Sequence, residues 1–484
     1  MTSDRAICVD IGSTWTKAAV FRLADDRFVA ENRAAVATSV DYLPDAFFNA
    51  VQQVCPGADW RSLTAATAPC PVYFSSSAKG GLKVAVVGLV PEMSLQIARL
   101  AAFSAGARIC ASYPYRLTRA SIAAIESAQP DILLLCGGTD GGNERYVTEN
   151  AQALAGSDFR GTVIFAGNNA AADRVSDLLA ARDLVITANL MPDFGRLNIE
   201  PVREAIRSIF LDKIVAGKGL DRLVTAFATQ PVPTPLAVLN LVRAIGDHAD
   251  GWQNFALIDM GGATTDFYSH SDSWYPESGT VMKGIVEPRL KRTVEGDLGM
   301  RVSAESTFET GEAYLAAVSD FSTEQLAALS RYTSNLTTNT SHLPANAIER
   351  HYDSLLAGAC IYHSLMRHAG SIEEVFTTRG PVWAQTGKDL RRINRLVGTG
   401  GYLAAMGRNG DPVAIPDRPV QPAEKVALLP QNFVYYADFD YILPLLGNLA
   451  EKFPRACALT AVSALRQTQH YEVKEPCQRE FNKA

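Results

Sequence analysis

Two short segments of this 484-residue chain combine acids, glycines and hydroxyls in an arrangement suited to gripping a metal-bound phosphate. In Asp10-Ile11-Gly12-Ser13-Thr14-Trp15-Thr16-Lys17, backbone N–H groups and short hydroxyls can meet phosphate oxygens, Gly12 permits close approach, and Asp10 can reach a magnesium ion through water. Asp259-Met260-Gly261-Gly262-Ala263-Thr264-Thr265-Asp266 repeats the theme, with Asp259 placed to hold a metal-bound or attacking water. A third segment, Leu396-Val397-Gly398-Thr399-Gly400-Gly401-Tyr402-Leu403, sends an apolar strand into a glycine turn, where a flat base and ribose can lie against backbone. Each segment alone also reads as an ordinary hairpin turn or helix cap. Their order along the chain is more specific than any one of them.

Strands must hold these turns. Ala6 to Asp10, Lys17 to Arg22 and Phe28 to Ala37 read as strands joined by tight turns, the second at Asp25-Asp26, and Leu43 to Val54 reads as a helix. From Lys83 to Ala181 apolar runs alternate with amphipathic helices: strands at Lys83 to Leu89, Ala107 to Ala111, Asp131 to Cys136 and Gly161 to Phe165, with helices at Pro91 to Ala105, Thr118 to Ser127, Glu144 to Leu154 and Ala170 to Ala181. That alternation implies a parallel sheet with right-handed crossovers. Leu197 to about Asp250 is mostly helical around Pro231, Pro233 and Pro235. At Asn254 the opening pattern returns, with Phe255 to Asp259 and Thr265 to Ser269 as strands, a recurrence that suggests two related lobes. Ala304 to Gly370 reads as helical with a polar break at Thr333 to Ser341, and the tail beyond about Arg466 turns polar.

Composition narrows the class. With 47% hydrophobic and 20% charged residues the chain reads as globular and multidomain, and its net charge of -6, from 45 Lys+Arg against 51 Asp+Glu, provides no polycationic surface for nucleic acid. The eight cysteines are scattered without a two-residue spacing, as expected of free thiols in a reducing compartment. The opening MTSDRAICVDIGST fits neither a secretory nor a transit peptide, and no apolar run is long enough to span a membrane. The expectation is a cytoplasmic protein. A P-loop is absent, because Gly387-Lys388 is followed by Asp389 and lacks the glycine required upstream.

Asp-x-Gly-x-Thr early, Asp-x-Gly-Gly-x-Thr-x-Asp midway and Gly-Thr-Gly-Gly late resembles, in that order, the phosphate-1, phosphate-2 and adenosine segments of the actin, sugar-kinase and heat-shock ATPase superfamily. Within it the chain is similar to the glutamate mutase L family (MutL or GlmL, distinct from the mismatch-repair protein of that name). The resemblance rests on Ser76 to Leu82, Val87 to Glu92, Cys136-Gly137-Gly138-Thr139-Asp140-Gly141-Gly142-Asn143, Ala166 to Asn169, Asn189 to Asn198, Val294 to Arg301, Arg367 to Gly370 and Gly387 to Leu390. It implies an α/β, two-lobed actin-like ATPase fold with ribonuclease H-like halves and an inserted doubly wound α/β region. The corresponding boundaries are a first lobe at 1–200 with the insertion at about 75–190, a helical connector at 201–250, a second lobe with a helical insertion at 251–420, and a C-terminal extension at 421–484.

The resemblance further implies an ATP-dependent reactivating factor for an adenosylcobalamin-dependent mutase such as glutamate mutase, promoting exchange of damaged cobalamin, with ATP and Mg2+ as cofactors and the mutase subunits as partners. Slow ATP hydrolysis would suit such a switch, and self-association into a homo-oligomer is left open. Asp10 and Asp259 would hold magnesium through water. Gly12, Ser13, Thr14, Thr16, Gly261, Gly262, Thr264 and Thr265 would cradle phosphates, Lys17 would stabilise phosphate charge, and Gly398, Thr399, Gly400 and Gly401 would flank adenosine. Asp266 either positions the nucleophilic water or is an exposed structural carboxylate. The loop Gly137 to Asn143 follows a strand of the doubly wound stretch, where ligands usually sit, and could bind a ligand or contact the client. His368 reads as a capping or packing histidine. Rival readings are a small-molecule kinase of the same fold, the ATPase activator of a radical dehydratase, and a non-hydrolysing scaffold.

Overall fold

A computed structural model describes residues 4–39, 41–77, 82–215, 219–272, 280–378, 380–409 and 425–472. The chain divides into two units, one drawn from Met1–Gly80, Arg222–Met282 and Glu287–Ala484, the other from Gly81–Asp221 and Lys283–Val286.

In the first unit Arg5–Ile11, Trp15–Ala24 and Arg27–Ala37 form an antiparallel meander, since the connections are too short for anything but hairpins. Asp25 and Asp26 both adopt left-handed φ, 49° and 60°, which matches the twist of the flanking strands. Helix Leu43–Val54 then buries Phe47, Phe48 and Val51, and returns the chain to Val72–Ser76, parallel to the opening strand. Val232–Pro233 pairs outside it, also parallel, which gives the spatial order fifth, fourth, first, second, third.

The same order recurs downstream. Phe255–Met260, Thr265–His270 and Leu290–Glu295 form the second meander, Arg395–Thr399 and Asn432–Ala437 add two parallel strands, and Arg466–Glu472 closes the edge antiparallel. The stretch 201–250, expected as a helical connector, thus also supplies a strand of the first sheet, while 421–484, expected as an extension, supplies two strands of the second. The tail from Arg466 is polar as expected, yet Arg466–Glu472 is an edge strand.

One core joins the two sheets. Helix Thr234–His248 contributes Leu239, Val242 and Ile245, helix Leu443–Ala450 contributes Leu443, Leu446 and Leu449, and both bury side chains from the first sheet (Ala6, Cys8, Phe21) and the second (Leu257, Tyr268). The helices cross where Gly447 meets Ala237: a Cβ on Gly447 would lie 2.6 Å from the Ala237 carbonyl oxygen. A second core lies under the helical insertion Ala304–Thr310, Glu312–Val318, Thr323–Thr338 and Ala347–His368. Helix Thr323–Thr338 runs through most of the expected polar break, because Thr333, Thr337 and Thr338 turn their hydroxyls back onto carbonyls of their own helix.

The second unit is a sheet of parallel strands, Arg108–Pro114, Lys83–Gly88, Ile132–Leu135, Thr162–Phe165 and Leu184–Ile186 in spatial order. Its central strands are almost wholly buried, and Leu133, Leu135, Val163 and Phe165 pack on Val147, Leu154 and Val175. This is the doubly wound region read from the sequence. Ala78 to Gly81, within the family-like segment Ser76 to Leu82, lie outside the described residues, as does Cys477. No helix among the described residues is long and apolar enough to cross a membrane.

The helix crossing is open to test. Gly447→Ala should lower the urea denaturation midpoint by an amount equivalent to about 1–3 kcal/mol, the usual cost of an overpacked contact. Gly156→Ala is the control: its nearest neighbour to an added Cβ is an oxygen at 3.8 Å, and the midpoint should hardly move.

Candidate functional site

The two acidic turns are built alike. Gly12 N donates to Trp15 O at 3.1 Å and Gly261 N donates to Thr264 O at 2.9 Å, so each strand ends in the same tight reversal. A Cβ on Gly12 would sit 2.6 Å from Trp15 O, which only glycine avoids. The turns also meet: a Cβ on Gly262 would lie 3.0 Å from the Thr14 hydroxyl. That hydroxyl is buried and has no hydrogen-bond partner among the described residues. Met300 N on Gly261 O (3.1 Å), Arg301 N on Gly262 O (2.9 Å) and the Ser303 hydroxyl on Ala263 O (2.7 Å) hold the second turn from behind. Arg301 in turn grips the buried carboxylate of Asp353 at 2.9 Å, which ties this turn to helix Ala347–His368.

Strand register makes the halves equivalent residue by residue. Asp10 stands opposite Lys17 and beside Ser75, whereas Asp259 stands opposite Asp266 and beside Thr399. Asp10 Oδ1 accepts from the hydroxyls of Thr234 (2.7 Å) and Ser75 (3.2 Å), and Oδ2 accepts from Tyr441 (3.2 Å). In the second half the matching threonine is diverted. Thr399 donates to Asp438 at 2.8 Å, and Asp438 also accepts from the N–H groups of Ile442 (2.9 Å) and Leu443 (3.0 Å), capping helix Leu443–Ala450. Asp259 is left with no hydrogen bond to its carboxylate among the described residues.

The electrostatic consequence is large. Burial first, then the like charges of Asp266 and Asp10, push Asp259 up to about 7, with Lys17 pulling the other way. Lys17 is drawn below its ordinary range by burial, against the opposing pull of Asp10, Asp259 and Asp438. Its ammonium sits 3.3 Å from the centroid of the Tyr441 ring. Asp10, Asp259, Lys17, Asp438 and Tyr441 therefore belong to one electrostatic cluster.

Other residues expected at the site lie elsewhere or serve the scaffold. Asp266 is not an exposed carboxylate: it is 5% exposed, with Oδ1 bound to Arg292 Nε at 2.8 Å. Burial raises its pKa and Arg292 opposes the rise. Thr16 and Thr265 are fully buried, their hydroxyls bonded to Thr38 (2.9 Å) and Leu298 O (3.1 Å). Gly398 leaves room for the Tyr435 hydroxyl, and Gly400, at φ 107°, leaves room for Met260 O, so both glycines serve packing. Gly401 opens helix Gly401–Asn409 with free space around it. His368 packs as expected, with its ring nitrogens at 2.7 Å from the Ser269 hydroxyl and 2.8 Å from that of Thr293; burial holds its pKa well below the usual value. The loop Gly137 to Asn143 belongs to the second unit. Asn168 accepts from Gly141 N at 2.9 Å and donates to Gly142 O at 3.1 Å, while Asn189 donates to Gly138 O at 2.9 Å.

Sequence reading missed Ser75, Thr234, Asp438, Tyr441, Arg292 and Arg301. Asp438 had a legible signal, an acid shortly before Leu443-Pro444, where a helix starts. Tyr441 had none.

Two meanders of identical strand order, each extended by parallel strands and facing turns with paired acids, define a two-lobed actin-like ATPase fold. The MutL protein family model matches residues 6–464, and the chain belongs to that family. It is 34% identical over 457 residues to Protein MutL of Clostridium tetanomorphum, covering 93% of this chain and 97% of that one. Among solved structures it is similar to a glycerol dehydratase reactivase (9% identity, 93% of this chain and 99% of that one, TM-score 0.31). It is likewise similar to gluconate kinase from Lactobacillus acidophilus (10%, 97% and 94%, TM-score 0.30). A third is the activator of the 2-hydroxyisocaproyl-CoA dehydratase from Clostridium difficile with bound ADPNP (10%, 95% and 97%, TM-score 0.26). At such TM-scores these likenesses add nothing to the strand topology.

Two outcomes follow from the charges. Because the folded pKa of Asp259 lies above its unfolded value of 3.8, its contribution to stability is present at acid pH and lost as pH rises toward about 7. Asp259→Asn should therefore leave the melting temperature nearly unchanged at pH 4 and raise it at pH 8, by the equivalent of about 2 kcal/mol after allowing for partial exposure. Asp266→Ala strands Arg292 without its carboxylate and should destabilise the fold by about 3–5 kcal/mol in thermal or urea denaturation.

Proposed function

We propose that this protein is an ATP-dependent accessory factor that reactivates an adenosylcobalamin-dependent mutase, with glutamate mutase as the client type, by promoting exchange of damaged cobalamin. Membership of the MutL family supports the client. The observation that carries the nucleotide is the meeting of the two acidic turns, with Thr14 beside Gly262 and with Asp10, Asp259 and Lys17 in one charge cluster.

The residues present fit magnesium-ATP. Asp259 is buried beside like charges and has no hydrogen-bond donor among the described residues, so a divalent cation would relieve the repulsion that adds to burial in pushing it toward protonation. No group of three or more acidic, histidine or cysteine side chains converges to ligate a metal directly among the described residues, and Asp10 and Asp259 would hold magnesium through its waters. Magnesium bound there supplies neutralisation of phosphate charge. The backbone N–H groups of Ser13 and Gly262 would donate to phosphate oxygens, the orphaned Thr14 hydroxyl would gain a partner, and Lys17 would add its positive charge. The open space at Gly401 suits a ribose or base. Asp266 orients the second strand pair through Arg292.

The coupling is linkage. A nucleotide gripped by turns from both sheets favours one relation between them, and hydrolysis removes that preference, which changes affinity for a client touching both. Swinging such an equilibrium from 1:99 to 99:1 takes about 5.5 kcal/mol of differential binding.

The test incubates a cobalamin-inactivated mutase with the protein, magnesium-ATP and fresh adenosylcobalamin. Turnover should return with ATP and fail without it, and both Asp10→Ala and Asp259→Ala should abolish the recovery along with slow phosphate release. Recovery equally good without nucleotide would overturn the reading, and stoichiometric formation of a phosphorylated metabolite would replace it with a kinase.

A further inference from the structure

Tyr441 touches both groups on which a magnesium-bound triphosphate would depend. Its hydroxyl donates to Asp10 Oδ2 at 3.2 Å, the oxygen not already taken by Thr234 and Ser75. Its ring lies 3.3 Å from the Lys17 ammonium. The side chain is half-buried, so it stands at the margin of the cluster rather than in the core.

The backbone is set for that placement. Tyr441 adopts φ 52°, a left-handed conformation that costs a non-glycine residue about 1 kcal/mol or more. Its N–H donates to Asp438 O at 3.1 Å, and Arg33 holds the adjoining Asp440 carboxylate at 2.6 Å, so the turn is fixed from both sides. Immediately after it begins helix Leu443–Ala450, capped by Asp438. That helix reaches back to the first sheet through Asn448, which donates to Val9 O at 3.4 Å and Ser75 Oγ at 3.3 Å, and it crosses helix Thr234–His248 at Gly447. Tyr441 is thus the residue where the charge cluster and the shared helical core adjoin.

We propose that Tyr441 is a positioning residue that competes with magnesium-ATP for Asp10 and Lys17, and that its displacement passes nucleotide binding to helix Leu443–Ala450. The inference rests on the nucleotide reading above. A magnesium-bound water at Asp10 would share Oδ2 with the tyrosine and weaken its hydrogen bond, and a phosphate would draw the Lys17 ammonium off the ring. Once both contacts are exchanged, the strained turn keeps only its backbone bond to Asp438 and the exposed Arg33–Asp440 pair, and the cap at Asp438 readjusts with it.

Tyr441→Phe keeps the ring and removes the hydroxyl, whereas Tyr441→Leu removes both contacts. By calorimetry, Tyr441→Phe should bind magnesium-ATP about threefold to tenfold more tightly than the wild type, since one long hydrogen bond, worth about as much as an ordinary one, no longer opposes loading. In hydrogen exchange, magnesium-ATP should alter amide protection across 438–450 of the wild-type protein, and that change should vanish in Tyr441→Leu. Unaltered protection of Arg5–Ile11 in the ligand-free variants establishes that they are folded. Unchanged or weaker binding by Tyr441→Phe, or an identical exchange response in Tyr441→Leu, overturns the role of Tyr441 alone. A wild-type protein that does not bind magnesium-ATP overturns both this role and the nucleotide reading.

Discussion

The site depends on an imbalance of charge between two equivalent positions. Asp10 and Asp259 occupy the same place in two copies of one strand order, yet among the described residues the first has three hydroxyl donors and the second has none. Part of the difference comes from one exchange of side chains: where the first half has Thr234 the second has Asp438, which takes the hydroxyl of Thr399 and the N-terminus of a helix for itself. Across the strand, Lys17 faces Asp10 and Asp266 faces Asp259, so the second acid has a like charge where the first has a cation. An acid in that position is most readily relieved by a cation from solution.

Much of the fold was legible because it follows from local pattern. The hairpin at Asp25-Asp26, the helix Leu43–Val54 and the alternating strands and helices from Lys83 onward show in apolar spacing and turn residues, and the recurrence at Phe255–Asp259 marks the duplication. What escaped was short, or depended on distant partners. Val232–Pro233 reads as part of a proline cluster, and becomes a strand only because Val72–Ser76 lies beside it. Asn432–Ala437, and Arg466–Glu472 in the polar tail, fall in a stretch read as a C-terminal extension, and they join the second sheet only through partners far back along the chain.

The site was legible in the same partial way. Asp10, Asp259 and the turn glycines stand out because acids and glycines at strand ends are chemically suggestive on sight. Burial is not visible in sequence, so Asp266 could be read as exposed or catalytic when it is the partner of Arg292, and Thr16 and Thr265 could be read as ligand hydroxyls when they brace the turns. Gly398 and Gly400 are a related case: the glycines are required, but by Tyr435 and Met260. Tyr441 could not be found at all, since its importance lies in where a turn far along the chain brings it.

The crossing of Gly447 over Ala237 has a mechanical corollary. Two sheets that share a single packed interior cannot swing apart like the covers of a book without exposing leucines from both helices to water. The low-cost motion left to them is a slide of one helix along the other, small in travel and rotational in effect. Anything that bridges the turns at Gly12 and Gly262 would therefore act on a twist of one sheet against the other, not on a gap between them.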